Sequence, residues 1–314
     1  YWQAAAASLN AEFVELSDRI WEVRQGAART RIANDLVELD DPVILAIAGD
    51  KALCYRLAAD LDIPVPRHRL FARRDLRAIR RWIAADGHPF VIKPQRNTSS
   101  GVGVTVGVQS VTETLQAVAR AGLRDSQIIV ERMVPGETCR LLFLGGEMIH
   151  AVRRRGVRIT PDGRSSVGDL LAAAGMGRLA YDRVTRLTLS ALDLTPASVP
   201  PAGDAIVVRV LPDQETSTRE LRTAYDEEIT SIVGTELVDE VGKLVRLIGS
   251  EWAGVDIVTN DPSRSLRDTG GSLLEVNTTP GLHHHCGMSG SEPCDIAVRV
   301  LDRALSRQHR VRPG

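Results

Sequence analysis

The sequence predicts an α+β protein, on three observations. Strand-like runs follow one another across tight turns, as in Arg140–Leu144, the Gly145–Gly146 turn and Met148–Arg153. Amphipathic helical patterns stand among them, without the strict strand–helix–strand alternation of a doubly wound sheet. The 314 residues are 43% hydrophobic and 25% charged, an ordinary balance for a folded chain long enough for about two domains.

Taken in order, Phe13, Val14 and Leu16 face Ile20, Trp21 and Val23 across Ser17–Asp18, which reads as a short hairpin over 12–25. Apolar residues at 53, 57, 58 and 61 give one helical face over 51–61, closed by Ile63-Pro64-Val65-Pro66. Asp75 opens a second helix carrying Leu76, Ile79, Trp82 and Ile83, stopped by Gly87 and Pro89. Phe90–Lys93 follows as a buried strand. Ser110 and Glu113 form a capping box for a helix to about Ala121. Strands are expected over 127–131, 140–144 and 148–153, and Ser166 caps a helix through Leu171. Residues 172–203 lack clear periodicity and read as helix and loop. A strand over 204–210 precedes one long amphipathic helix over 226–248, then strands over 252–259 and 272–276 separated by a polar loop.

Composition excludes several classes of function. Lys and Arg number 39 against 40 Asp and Glu, a formal charge of −1, so the basic excess of a nucleic-acid binder is missing. Aromatic residues are 4%, too few for single-strand stacking platforms. No apolar run reaches the ~18 residues of a membrane helix. The alanines after Tyr1 lack the basic stretch of a signal peptide, and the chain starts without Met, so it reads as an excerpt or a processed form. Cys54, Cys139, Cys286 and Cys294 show no C-x-x-C spacing and read as reduced thiols of a cytoplasmic protein.

Three segments carry candidate chemistry. Lys93 ends a buried strand and is followed by the hydroxyl- and glycine-rich loop Asn97-Thr98-Ser99-Ser100-Gly101-Val102-Gly103. Such a loop can bring backbone N–H groups against phosphate oxygens, although a plain hairpin turn explains it as well. It is neither a Walker A loop nor a dinucleotide fingerprint. Asp256, within Gly254–Val258, is matched by Glu275 and Asn277, which strand periodicity puts on one face. Acids on otherwise apolar strands need a partner, and this oxygen set suits Mg²⁺, with a neighbouring Arg as the alternative. Glu131-Arg132-Met133-Val134-Pro135-Gly136 leaves the core at a Pro-Gly turn, offering backbone groups beside apolar side chains, as an adenine edge requires.

In this order the segments resemble the ATP-grasp superfamily, and within it the ATP-grasp module of cyanophycin synthetase and its glutamate–cysteine ligase relatives. The resemblance runs over roughly 26–286. It starts at Gly26-x-x-x-x-Arg31-Ile32 and Ala48-Gly49-Asp50-Lys51 and passes through Val91–Pro94, the Gly101/Gly103 loop and Glu131–Gly136. It then takes in Asp162–Val167 and Gly254–Val258, and ends with Glu275-Val276-Asn277-Thr278-Thr279-Pro280-Gly281-Leu282. It implies two α+β lobes gripping ATP, with 1–49 as a hairpin and linker ahead of the grasp, 50–314 as the grasp domain and about 66–136 as its small lobe. It implies that Lys51 and Lys93 contact phosphates under a closing Ser99–Gly103 loop that includes Ser100 and Gly101. Glu131, Arg132 and Val134 would line the adenine pocket, with Glu137 beside the ribose. Asp256, Glu275 and Asn277 would hold Mg²⁺, two ions in the family pattern, with Mn²⁺ as a substitute. Arg155 would stand near the transferred phosphoryl group, with Arg140 and Arg209 toward the carboxylate substrate. Arg153 and Arg154 read instead as a solvated strand edge.

The implied activity is an ADP-forming ligation of an amino acid or peptide-like acid to an amine through an acyl-phosphate. A small-molecule kinase and a non-catalytic ATP-binding protein are the alternatives. Small amino acids or peptides are the implied partners, with no nucleic acid and no membrane, in a cytoplasmic chain that can form a homodimer. The chain departs from the family pattern in three places. Thr138 stands where an acidic ribose contact is usual, the run Leu211–Arg219 replaces a common Asn-x-Ser-Thr-Gly-Gly, and His283-His284-His285 follows Pro280-Gly281-Leu282. With Cys286 the three histidines offer zinc ligands, but consecutive side chains diverge, which favours pocket lining.

Overall fold

The computed structural model describes residues 1–96, 101–190, 192–209, 226–286 and 294–311. Ser99, Ser100 and the run 211–219 therefore lie outside the described residues, as does the side chain of His284.

The chain opens with helix α1 (Trp2–Ser8) and an antiparallel meander, β1 (Glu12–Ser17), β2 (Ile20–Gln25), β3 (Ala28–Ala33) and β4 (Leu36–Val37). The expected hairpin is thus the first half of a four-stranded sheet. Sequence reading stops short because Ala28–Ala33 alternates small residues with arginines, hiding the buried Thr30 and Ile32. Helices α2 (Pro42–Gly49) and α3 (Lys51–Asp60) follow, the second N-capped by Asp50, whose carboxylate accepts from the Ala52 and Leu53 amides. The buried face of α3 is Lys51, Cys54, Tyr55 and Ala58, while Leu53, Leu57 and Leu61 are only half-buried. This is a one-step rotation from the expected face.

A small lobe is built from β5 (His68–Ala72), α4 (Leu76–Asp86), β6 (Phe90–Pro94), β7 (Thr105–Val108), α5 (Val111–Gly122) and β8 (Gln127–Arg132). Its antiparallel sheet has the order β5-β8-β6-β7, and one face packs on α4 and α5 around Ile79, Ile83, Ala117 and Val118. The capping box at Ser110 and Glu113 is present. Asp75 holds the N-cap position of α4 without a side-chain cap bond.

The large lobe carries β9 (Glu137–Leu144) and β10 (Glu147–Arg154), then a side unit of β11 (Val157–Ile159), α6 (Val167–Ala173), α7 (Arg183–Ser190) and β12 (Ile206–Arg209). Next come β13 (Asp226–Glu228), α8 (Thr235–Ile248), β14 (Trp252–Thr259), α9 (Leu266–Thr269), β15 (Ser272–Asn277) and α10 (Asp295–Val311). The sheet order is β13-β10-β9-β14-β15. The single helix expected over 226–248 is therefore a strand and a helix. Asp226–Glu228 pairs with Arg154–Val152, where opposite charges across the strands favour sheet over helix. The backbone of Ser263 crowds the Cα of Gly234, so the helix start requires a residue without a side chain.

Strand periodicity distributes the large sheet between two cores. Leu141, Phe143, Ala253, Val255 and Ile257 point to the helices α3 and α8. Leu142 and Trp252, of opposite parity, join the meander, α1 and α10 in a second core that includes Val23, Ile32 and Leu301. The N-terminal residues and the C-terminal helix are thus parts of one packed unit. Among the described residues no helix is long and apolar enough to cross a membrane.

The cysteines divide. Cys54 and Cys139 are buried thiols, and burial pushes each up to about 12. Cys286 and Cys294 form a disulfide with Cα atoms 5.5 Å apart, which corrects the expectation of four reduced thiols; the packing of α10 against the Leu282 segment brings the two together. We predict that thiol titration of the denatured, unreduced protein finds two reactive groups, and four after reduction. Four before reduction would remove the bond.

Candidate functional site

A cleft of about 350 Å³ lies between the small-lobe sheet and the large sheet. Its apolar wall includes Val91, Val104, Val106, Met133, Val134 and Val258. Its polar wall brings together Lys51, Lys93, Glu131, Arg140, Arg154, Asp256, Glu275 and Asn277.

Register and a bulge build the polar wall. Asp256 lies opposite Arg140 on one neighbouring strand and opposite Glu275 on the other. Between Asp256 and Ile257 the pairing shifts so that Leu274 is an extra residue of β15. An extra residue reverses the side on which following side chains emerge. Leu273 and Val276 therefore both reach the core, while Glu275 and Asn277 turn into the cleft beside Asp256. The Asn277 amide N–H donates to Asp256 Oδ2 and to Glu275 Oε1, both at 3.1 Å.

Each buried carboxylate already has a cation. Arg140 grips Asp256 with two bonds of 2.7 Å. Lys51 Nζ stands 3.2 Å from Glu275, and Lys93 Nζ stands 2.8 Å from Glu131. Burial alone would raise the Glu275 carboxyl, but the charges of Lys51, Lys93 and Arg140, with the Asn277 amide, hold it down to about 2. Tyr55 braces the Lys93–Glu131 pair: its hydroxyl accepts from Lys93 Nζ at 2.8 Å and donates to Glu131 Oε2 at 2.8 Å, with the Leu274 carbonyl 3.0 Å away. Tyr55 is a site residue the sequence reading missed. The available signal was its position four residues after Lys51, on the same helix face.

Of the other expected site residues, Gly101, Arg132 and Val134 line the cleft. Gly103 packs against Pro94, where a Cβ would meet the ring at 2.9 Å. Arg132 donates its amide to Arg67 and Met133 to Pro89, while the backbone groups of Val134 make no hydrogen bond among the described residues. Glu137 is engaged by Arg158 at 2.7 Å and Arg153 at 3.4 Å, and Thr138 takes the place beside the cleft. Arg155 pairs with Glu227 at 2.7 Å, and Arg209 with Asp182 at 2.8 Å in the β11–β12 unit; neither lines the cleft. Arg154 does, and it is buried, which corrects its reading as solvated edge. It lies opposite Thr138 in the β9–β10 register, on the face Arg140 uses, whereas Arg155 is one step out of phase. His283 also lines the cleft, and among the described residues no group of three His, Cys, Asp or Glu side chains could hold a metal such as zinc.

Comparison with known proteins agrees with this fold. The family described as D-ala D-ala ligase C-terminus matches residues 57–162. Cyanophycin synthetase of a Nostoc species is 29% identical over 304 residues, which cover 92% of this chain and 33% of the relative. The glutathione biosynthesis bifunctional protein of Clostridium perfringens is 22% identical over 312 residues, 92% of this chain and 37% of the relative. The bifunctional glutathione synthetase from Pasteurella multocida superposes with a TM-score of 0.57 at 19% identity, over 95% of this chain and 44% of that one. D-alanine–D-alanine ligase from Bacillus anthracis gives 0.52 at 18% identity, over 86% and 70%. The fold is that of the ATP-grasp ligases. The chain spans about a third of the length of the curated relatives it matches.

The depressed Glu275 carboxyl has a consequence for stability. Its folded value, about 2, lies below the usual 4.5, so its contribution is complete above about pH 4.5 and is lost as pH falls toward 2. We predict that Glu275→Gln costs about 1–3 kcal/mol near pH 6, because Lys51 loses its charged partner. The gap to wild type should shrink in denaturant midpoints recorded stepwise down to pH 2. A gap that does not change with pH would refute the assignment.

Proposed function

We propose that this chain joins a carboxylate to an amine, using ATP and Mg²⁺ and releasing ADP and phosphate. The observation that carries the reading is the convergence of Asp256, Glu275 and Asn277 in a cleft also lined by Lys51 and Lys93, within an ATP-grasp fold. Two carboxylates and an amide oxygen are hard oxygen donors of the kind Mg²⁺ takes together with phosphate oxygens. Rotation of the Asn277 amide exchanges its N–H₂ for its oxygen, so the same side chain serves the cleft with or without a cation. Bound there, Mg²⁺ would neutralise charge on the phosphate oxygens.

A carboxylate resists attack by amines because its leaving group would be oxide. Transfer of the terminal phosphoryl group changes this: a carboxylate oxygen bonds to phosphorus as the bond to ADP breaks. The amine nitrogen then bonds to the acyl carbon as phosphate departs with the electron pair of the old C–O bond, and the amine loses a proton. The protein's part is placement and charge stabilisation. Lys93 and Lys51 supply positive charge from two sides, and Arg140 and Arg154 supply it from the large sheet. The apolar wall with the uncommitted Val134 backbone suits a purine edge. Gly101, on the cleft lining, suits exclusion of water from the activated acid. On this reading the acid and amine are small amino acids or peptides.

The test is ADP release across a panel of amino acids and amines, with the amide product identified by mass. Release that depends on both an acid and an amine is the expected result; release with a hydroxyl compound alone would indicate a kinase. Asp256→Asn and Glu275→Gln should lower turnover at least ~100-fold while the protein stays folded. The isosteric amides are preferable to alanine, since truncating Asp256 strands the buried Arg140 at a cost of about 3–5 kcal/mol. Near-normal turnover in either variant would refute the metal assignment.

The two lysines make a further comparison. Lys93 stands on β6, the strand that leads into the glycine loop, whereas Lys51 opens α3 on the far side. Lys93→Ala should weaken nucleotide binding more than Lys51→Ala in calorimetric titrations. Equal or reversed losses would count against the placement of Lys93 at the phosphates.

A further inference from the structure

One acid of the cleft is not used by the chemistry above. Asp35 belongs to the turn between β3 and β4, on the N-terminal meander. The preceding Asn34 adopts the left-handed conformation, φ 56°, which turns the chain tightly. Its carbonyl accepts the Trp2 indole N–H at 3.1 Å, fastening the turn to α1. The turn is therefore held by the core that the meander shares with α10, and Asp35 is carried to the rim of the cleft as a fixed group.

The charges around it are uneven. Glu131, Glu275 and Asp256 each have a lysine or arginine within 3.2 Å. Asp35 has no ion pair or hydrogen bond among the described residues, although it lines the same cleft. Surrounding protein on the cleft side raises its carboxyl and the charge of His283 lowers it, which places His283 close by. A ligand entering this cleft meets Lys51, Lys93, Arg140 and Arg154 toward the two sheets and, on the meander, a carboxylate without a lysine or arginine partner among the described residues.

We propose that Asp35, beside His283, is the subsite that receives the amine substrate in its ammonium form. This rests on the ligase reading and deepens it. An aliphatic amine arrives at pH 7 as a cation. Glu131, Glu275 and Asp256 are already engaged by basic side chains, whereas Asp35 offers that cation a charge-assisted hydrogen bond with no lysine or arginine to displace. The bound ammonium releases one proton to water before its nitrogen attacks the acyl carbon, and a second as the amide forms.

The test separates charge from nucleophilicity. Wild type, Asp35→Asn and Asp35→Glu are incubated at pH 7 with ATP, Mg²⁺ and the twenty protein amino acids together, and the amide product is quantified by mass. A parallel set contains hydroxylamine, which is neutral at that pH and traps an activated acid as its hydroxamate. Asp35→Asn should lower amide formation at least tenfold while hydroxamate stays within twofold of wild type, and Asp35→Glu should restore part of the amide. Amide formation unchanged in Asp35→Asn would overturn the subsite and leave the ligase reading standing. Equal loss of amide and hydroxamate would overturn it too, since the residue would then act on activation. Absence of both products in wild type would overturn the ligase reading and this subsite with it.

Discussion

The two-pronged contact of Arg140 with Asp256 is the constraint on which the cleft depends. It joins adjacent strands in direct register at the floor of the site, and both partners are buried. A lone carboxylate in that position would be expensive to desolvate, and a lone guanidinium equally so. Paired, they let the sheet close around a charged floor. Lys51 with Glu275 and Lys93 with Glu131 repeat the device at the cleft walls. The fold can therefore form before any ligand arrives. On the proposed reading, ligand entry would be an exchange of partners in which phosphate oxygens engage the lysines and a cation engages the acids.

Much of the fold was legible because its signals are local. The capping box at Ser110 and Glu113, the apolar run Phe90–Lys93 and the Gly145–Gly146 turn need nothing beyond neighbouring residues. The convergence of Glu275 and Asn277 was legible from period two alone. What lay hidden depends on distant partners. The face of α3 rotates to bury Lys51 and Tyr55 because Glu275 and Glu131 await them across the cleft. The bulge at Leu274 leaves no mark in composition, yet without it Leu273 and Glu275 would share a face. Arg153, Arg154 and Arg155 are indistinguishable as letters, and only the register against Thr138 selects the middle one for the cleft. The acidic run Asp226–Glu228 has a helical pattern in isolation, and only the arginines of β10 give it a strand to pair with.

The N-terminal meander shows why a motif-by-motif reading understates a fold. Its strands match none of the residue patterns that mark nucleotide sites. Its interior residues nonetheless pack with Leu142 and Trp252 of the large sheet and with α10. Asp40 extends the connection, accepting from the Ser250 hydroxyl at 2.7 Å and the Glu251 amide at 2.6 Å. A change in the meander is therefore felt at β14, the strand that carries Asp256. The same packing fixes where the turn at Asn34 and Asp35 stands relative to the sheet that carries Arg140 and Asp256.

Tyr55 suggests how the pairs are kept from collapsing into one another. Its hydroxyl is the shared point between Lys93, Glu131 and the Leu274 carbonyl. A phenol in that place cannot ionise readily, because burial and the neighbouring Glu131 charge push it well above its usual range. It therefore remains a neutral donor and acceptor between the charged groups around it. The bulged Leu274 turns Glu275 into the cleft and sets its own carbonyl 3.0 Å from this hydroxyl. The direction of Glu275 thus depends on a single backbone irregularity that lies against the hydroxyl bracing Lys93 and Glu131.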